Sequence, residues 1–415
     1  MKVFKVLGRI IWIIIAVIAI AVVTCIVLVS VFGTDVKTIK GEESTEEVVP
    51  PEPEITGAET RLLFAGTTFW GRRTNNDARA SELGVKYPFS QLDTLDRKNY
   101  DAWIGGLECP VTDNGHNKAE EENIFKFNCD PDYLPEAAKY FDAFLLGNNH
   151  AGNQGKTGLE TTRAYLKKNN IQYFGTPKRT ANDTRDPEYP NDDVNVNNCG
   201  IVVLPVRIAL DDGTEDKYKI PFGFCSAHGV YGVPGEDYLQ NMKDFAQYVP
   251  TIAMPHMGAE YKTSHDTMRQ NLYRKMIDYG VEAVIADHPH WLQDSEAYNG
   301  KLIVYSMGNF MFDQTFNAEV VRSAAIEAQV KIDIKDAELD KWNELGEGCL
   351  RDSATCYETI KVAGLKKLGL TWAYDYHGTT SAGNRITRLA PDNEQAAIGQ
   401  RLNWGAIPAE LKIKK

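Results

Sequence analysis

Apolar residues in this chain gather in short runs that stop abruptly at polar loops. Residues 61–66, 100–107 and 141–146 read as strands, followed by a helix over 158–168 and a further strand over 171–174. The pattern then repeats. Residues 248–254, 281–286 and 301–305 read as strands, and Met268, Leu272, Met276 and Ile277 stand at helical spacing over 267–279, with Gly280 as the stop. Residues 201–208, 324–334 and 368–374 add strands at wider spacing. Strands that alternate with helices predict an α/β fold. No second linker interrupts residues 60–415, which read as one domain; residues 335–415 carry no chemical motif.

The N-terminus follows another pattern. Residues 10–32 are an uncharged apolar run, and its 23 residues would span about 34 Å as a helix, enough to cross a bilayer. Lys2, Lys5 and Arg9 precede it with no acid among them. That charge bias predicts a cytoplasmic tail over 1–9, a single membrane anchor over 10–32 and an extracytoplasmic remainder. The run exceeds the apolar region of a cleaved signal peptide, and no small-x-small cleavage site follows it. Residues 33–59 hold seven glutamates and three prolines, which predicts an extended acidic linker.

Composition narrows the partners. The 415 residues are 25% charged and 43% hydrophobic, as in ordinary globular proteins. A formal net charge of −12 argues against nucleic acid as a partner. Cys25 lies in the apolar run; the six others permit three disulfides. Pairing sequence neighbours gives Cys109–Cys129, Cys199–Cys225 and Cys349–Cys356, with free buried thiols as the alternative. There is no zinc-finger spacing. Asn182-Asp183-Thr184 matches a glycosylation acceptor, a weak signal on its own.

The informative polar residues stand where strands end: Glu108, Asn149, His150, His256, His288 and His290. In α/β sheets, sites form at the carboxyl ends of strands. Carboxylates and neutral imidazoles delivered to one edge form the donor set of a metal ion that activates water. An extended His288-Pro289-His290 would send both rings to the same side. His116, His228, His265 and His377 fall outside this set, with His228 also following a strand.

Four segments then carry a resemblance: Gly147-Asn148-Asn149-His150, Pro255-His256-Met257-Gly258-Ala259-Glu260-Tyr261, Asp287-His288-Pro289-His290 and Tyr305-Ser306-Met307-Gly308-Asn309-Phe310-Met311-Phe312-Asp313. In their order and spacing, residues 61–313 resemble the CapA-type poly-γ-glutamate capsule synthesis family, whose domain is similar to calcineurin-like metallophosphoesterases. The resemblance implies a four-layer α/β/β/α sandwich with its site at one edge. It implies Glu108, Asn149, His256 and His288 as ligands of one metal, and Glu108 with His290 as ligands of another. His150 would be a general acid or charge stabiliser and Arg72 an anion holder, a surface or structural ion pair being the alternative for Arg72. Glu260-Tyr261 would shape the site or orient His256, and Asn309 and Asp313 would fix their loop. The chain departs from the family pattern at two positions. Thr67 stands where the first motif has aspartate, and Gly106 stands where the second has asparagine. A neutral Thr67 implies one strong divalent-metal site and a second that is weak or absent.

The resulting expectation is a membrane-anchored protein of anionic capsule (poly-γ-glutamate) synthesis, export or anchoring. Its domain would be a metal-dependent hydrolase or transferase on a phosphoester or amide bond, with the membrane, the polymer and other capsule synthesis proteins as partners. Two rivals stay open: a non-catalytic assembly or polymer-binding module with a degenerate site, and a phosphoesterase unrelated to capsule.

Overall fold

The computed structural model describes residues 53–176, 198–230, 232–335 and 337–414. The expected membrane segment and the Asn182 acceptor lie outside the described residues. Among those described, no helix is long and apolar enough to cross a membrane. The described residues from Pro53 onward form one compact unit.

The first strand, β1 (Ile55–Thr68), is fourteen residues long. It begins inside the stretch expected as linker, because Ala58 is buried and Glu59 pairs with Arg207 at 2.9 Å. The strand changes neighbours along its length. Ile55 to Glu59 run antiparallel to β5 (Cys199–Leu210), whereas Leu62 to Thr68 run parallel to β2 (Ala102–Leu107). Beyond β2 lie β3 (Ala143–Leu145) and β4 (Gln172–Phe174), all parallel. Beyond β5 comes β6 (Glu215–His228), then β7 (Thr251–His256), β8 (Ala283–Ile285) and β10 (Lys301–Val304), parallel from β6 onward. β9 (Ser295–Tyr298) closes that edge as a hairpin with β10. On its other side β1 meets β12 (Arg322–Ile332) and, at its end, β11 (Asn309–Met311). β13 (Leu370–Thr380) pairs with the whole of β12 and carries β14 (Arg388–Leu389). The fourteen strands among the described residues make a single hydrogen-bonded network that branches at β1 into two arms.

Both faces of the central strands are buried, which is why they read as continuous apolar runs. On β1, Leu62 and Phe64 join one core while Leu63 and Ala65 join another. Phe64 meets Phe224 of the other arm with ring centroids 6.5 Å apart. The second core is closed by α1 (Arg72–Ala80) and α2 (Gly155–Lys168) through Ala78, Leu159 and Leu166. The first core takes Leu239, Met242 and Phe245 from α3 (Glu236–Tyr248) and Leu272, Tyr273 and Met276 from α4 (Thr267–Asp278). Tyr248, expected as a strand start, is the last residue of α3. The C-terminal residues contribute α5 (Leu339–Arg351), α6 (Cys356–Ala363) and α7 (Asp392–Arg401) besides β13 and β14.

Three disulfides form: Cys109–Cys129, Cys199–Cys225 and Cys349–Cys356. The second joins facing residues of β5 and β6. The first ties the residue after Glu108 to a loop that bridges back at Val111. Closing a loop of that size removes unfolded-state freedom, so Cys109→Ala/Cys129→Ala is expected to cost about 3 kcal/mol in urea unfolding. An unchanged midpoint would refute a stabilising role.

Candidate metal centre

The carboxyl ends of parallel strands from both arms meet at one edge. Thr67 is the penultimate residue of β1, Glu108 follows β2, Asn149 follows β3, His256 ends β7, and His288 and His290 follow β8. At Gly66 the pairing of β1 with β2 shifts by one residue, a bulge that re-aims the strand end. No side chain fits there: a Cβ on Gly66 would lie 2.1 Å from the Gly308 carbonyl oxygen.

Three electron-rich atoms converge on His256. Its Nε2 lies 3.0 Å from Asn149 Oδ1, 3.2 Å from His288 Nδ1 and 3.4 Å from Glu108 Oε1. All four residues are buried. One imidazole proton cannot satisfy so many acceptors, and neither Glu108 oxygen has a hydrogen-bond partner. Ligand bonds of about 2.0–2.2 Å set neighbouring donor atoms roughly 3.0–3.5 Å apart in octahedral or tetrahedral geometry. The cluster therefore fits a divalent cation, and among the described residues Glu108, His256 and His288 bring donor atoms within 4.8 Å of one another. Burial pushes the Glu108 carboxyl up to about 7 and His256 down to about 4, and holds His288 well below the ordinary imidazole range. Neutral imidazoles are the state a metal ligand requires.

The two histidines after β8 reach the site differently from the expected alternation. His288 and His290 both have positive φ, 106° and 59°, so the segment turns instead of extending. His290 is held by its neighbour Asn309, whose Oδ1 accepts from Nδ1 at 2.8 Å while its Nδ2 donates to the Val320 carbonyl. Nε2 of His290 is thereby left as the lone-pair nitrogen. Tyr261 stacks on His290 at 5.7 Å and bonds Gln314, so it supports His290 and not His256. Glu260 is exposed.

His150 stacks on Phe127 at 4.0 Å. Its Nδ1 donates to Asn153 Oδ1 at 2.9 Å, and burial lowers its pKa. Arg72 is engaged in the structure itself. Its Nη2 bonds the buried Asp313 at 2.6 Å, and its guanidinium lies 4.4 Å from the Phe127 ring centroid. The ion-pair alternative for Arg72 is thus the one the contacts favour, and Asp313 fixes Arg72 besides its own loop. Of the remaining histidines, His116 pairs with Glu121, His265 with Asp294 and His377 with Glu327. His228 is buried at the end of β6, close enough to depress His288.

Two residues were given no role in the sequence reading. Asn153 orients His150, three residues away in a loop. Asp287 is buried beside the cluster, its Oδ2 accepting from Thr67 Oγ1 at 2.5 Å, and burial pushes it up to about 7. The available signal was an acid at the end of an apolar strand, where burial alone would disfavour one.

Fold and cluster together define an α/β protein with the donor set of a divalent-metal centre at the strand ends. The chain belongs to the family described as bacterial capsule synthesis protein PGA_cap, whose pattern matches residues 61–314. It is 25% identical over 253 residues to the PGA biosynthesis protein CapA of Bacillus subtilis (strain 168), covering 60% of this chain and 63% of that protein. It is 24% identical over 270 residues to the capsule biosynthesis protein CapA of Bacillus anthracis, covering 65% and 63%. The chain thus matches less than two thirds of the length of either relative. Among solved structures, the TT1561 protein of Thermus thermophilus aligns at a TM-score of 0.32 and 10% identity, over 64% of this chain and 93% of that one. That score is too low to define a shared fold.

Asp313 has no exposed surface, so removing Arg72 strands a buried charge. Arg72→Met is expected to destabilise the protein by about 3 kcal/mol in urea. Arg72→Met/Asp313→Leu should recover part of the loss, and full stability in the single variant would show the pair to be dispensable.

Proposed function

We propose that this protein is a membrane-anchored, extracytoplasmic metal-dependent hydrolase or transferase that serves anionic capsule polymer synthesis, export or anchoring. The observation that carries the chemistry is the convergence of Asn149, His288 and Glu108 within 3.4 Å of the His256 Nε2. Glu108, Asn149, His256 and His288 would hold a divalent cation there, which would supply a water acidified towards neutrality and a positive charge against an anionic bond. The two sheet arms with helices on both cores support reading the fold as the α/β/β/α sandwich of metallophosphoesterases.

His150 has its Nδ1 proton committed to Asn153, so its Nε2 is the lone-pair nitrogen. In the neutral ring this favours accepting a proton over donating one, and a general-acid role would need an anionic substrate to raise its pKa. Tyr261 and Asn309 fix the His290 ring. Family membership and the names of the two CapA relatives support the capsule role. The uncharged run over 10–32, the positive residues before it and three disulfides support an anchor with the domain in an oxidising compartment. An acidic domain acting on a polyanion needs local positive charge, which the bound cation would provide.

One observation favours the binding-module alternative. Thr67 is neutral where the first motif carries aspartate, which weakens a two-metal reaction. The experiment that separates the readings is metal content by mass spectrometry on the full chain purified without chelator, followed by turnover assays. Bound metal is expected in the wild type, and His256→Ala should lose it and with it any turnover, a drop of at least about 100-fold. Bound metal without turnover of poly-γ-glutamate or a chromogenic phosphodiester would support the binding module. Turnover of the phosphodiester alone would refute the capsule-specific version, and absence of metal from the wild type would refute both metal-based readings.

A further inference from the structure

We propose that a basic groove at the opposite edge of the sheet holds an extended polycarboxylate strand, the anionic capsule polymer, apart from the metal centre. The identity of the polymer rests on the capsule reading above; the groove and its cations do not.

The groove lies at the amino ends of the parallel strands. Leu62 of β1 pairs with Ala102 of β2, and Arg61 and Asp101 stand immediately before that pairing. From Arg61 to Thr67 the strand advances about 20 Å, so the groove and the metal centre occupy opposite edges. The cavity of about 640 Å3 is lined by Arg61, by Arg97 and Lys98 of the turn before β2, and by Arg207, Lys217 and Lys219 of the β5–β6 hairpin. Asp101 is the one acid lining it among the described residues.

Strand alternation gathers the cations of the hairpin on one face. Arg207 lies directly opposite Lys217, and Lys219, two residues along β6, projects to the same side. Like charges that face each other across an antiparallel pair destabilise it. Glu59 offsets Arg207 at 2.9 Å. Lys217 and Lys98 are exposed, and no acid among the described residues pairs with either ammonium.

The other cations divide into supports and contacts. Arg97 bonds the Tyr100 and Tyr140 carbonyls and Asp142, so it fixes the turn that carries Lys98. Arg61 is held from below by the buried Glu327 through Nε, which leaves its terminal nitrogens to a ligand. Lys219 pairs with Glu347 at 2.7 Å where both are exposed, and such a pair contributes little against a competing carboxylate. The cations are strung over three segments instead of focused on one point. That layout suits repeated negative charges on one strand more than a single small anion, and an arginine fork matches a carboxylate. A polyanion in the groove would also relieve the repulsion between Arg207 and Lys217.

The test uses the full chain in detergent and fluorescently labelled poly-γ-glutamate, read by anisotropy at low salt. Wild type should bind, with affinity falling as salt rises. Lys98→Glu/Lys217→Glu should bind at least about tenfold more weakly with an unchanged thermal midpoint, since both side chains are exposed. Lys98→Arg/Lys217→Arg should keep the affinity, and so should His256→Ala, whose site lies at the other edge. Wild-type affinity in the Lys98→Glu/Lys217→Glu variant would overturn the proposal. So would an equal loss in Lys168→Glu/Lys366→Glu, which changes net charge as much at residues that do not line the groove. A loss confined to His256→Ala would put the polymer at the metal centre, overturning the groove and leaving the capsule reading standing. A wild type that binds polyphosphate but not poly-γ-glutamate would overturn the choice of polymer and the capsule reading together.

Discussion

The rest of the structure depends on the way β1 is shared. Its first residues pair with β5 and its last with β2, so one strand belongs to both arms of the sheet. Two sets of parallel strands, β2 to β4 and β6 to β8, then point their carboxyl ends at the same edge. Glu108 and Asn149 come from one arm, and His256, His288 and His290 from the other. Neither arm alone assembles the cluster. The bulge at Gly66, with the Gly308 carbonyl pressed against it, sets where β1 ends and so where Thr67 meets Asp287.

Electrostatics at this edge are unusual because so much is buried with so few donors. Asn309 and Asn153 each fix one imidazole by accepting from Nδ1, which settles the tautomer and leaves Nε2 available. Neutral side chains do this orienting work, so they add no charge that would oppose a cation. Positive charge near the site is meanwhile neutralised internally. Arg72 is clamped between Asp313 and aromatic faces, which makes it a support for the loop after β11 more than a free anion holder. The disulfide beside Glu108 and the network of Arg269 with Gln293 and Asp266 stiffen the loops that carry ligands from the two arms. Rigid support of this kind lets buried, mutually repelling groups be held in one geometry.

Much was legible in the chain itself. Strands such as 61–66 and 141–146 are buried on both faces, and a continuous apolar run is the local signature of that burial. The candidate donor residues were legible for the same reason: an imidazole or carboxylate at the end of an apolar strand is conspicuous. The strand β6 was harder to see, because Glu215 to Lys219 are polar and largely exposed before the buried part begins. Helices α1, α3 and α5 to α7 were missed, as their apolar positions are interrupted by polar residues and their burial is set by distant partners. The reach of linker into 55–59 was overestimated, since Glu-rich composition hides an edge that Arg207 neutralises.

The sequence by itself determined the mixed α/β class and which polar residues stand at strand ends, because each depends on side chains within a few positions of one another. Tertiary structure alone decided how those donors combine. Periodicity along one strand carries no information about which other strand lies beside it, so the branching at β1 could not be read. The turn at His288 and His290 replaced the alternation that local spacing suggested. The contact of Asp287 with Thr67 joins residues 220 positions apart, and only the packing of two arms around a shared strand brings such a pair together.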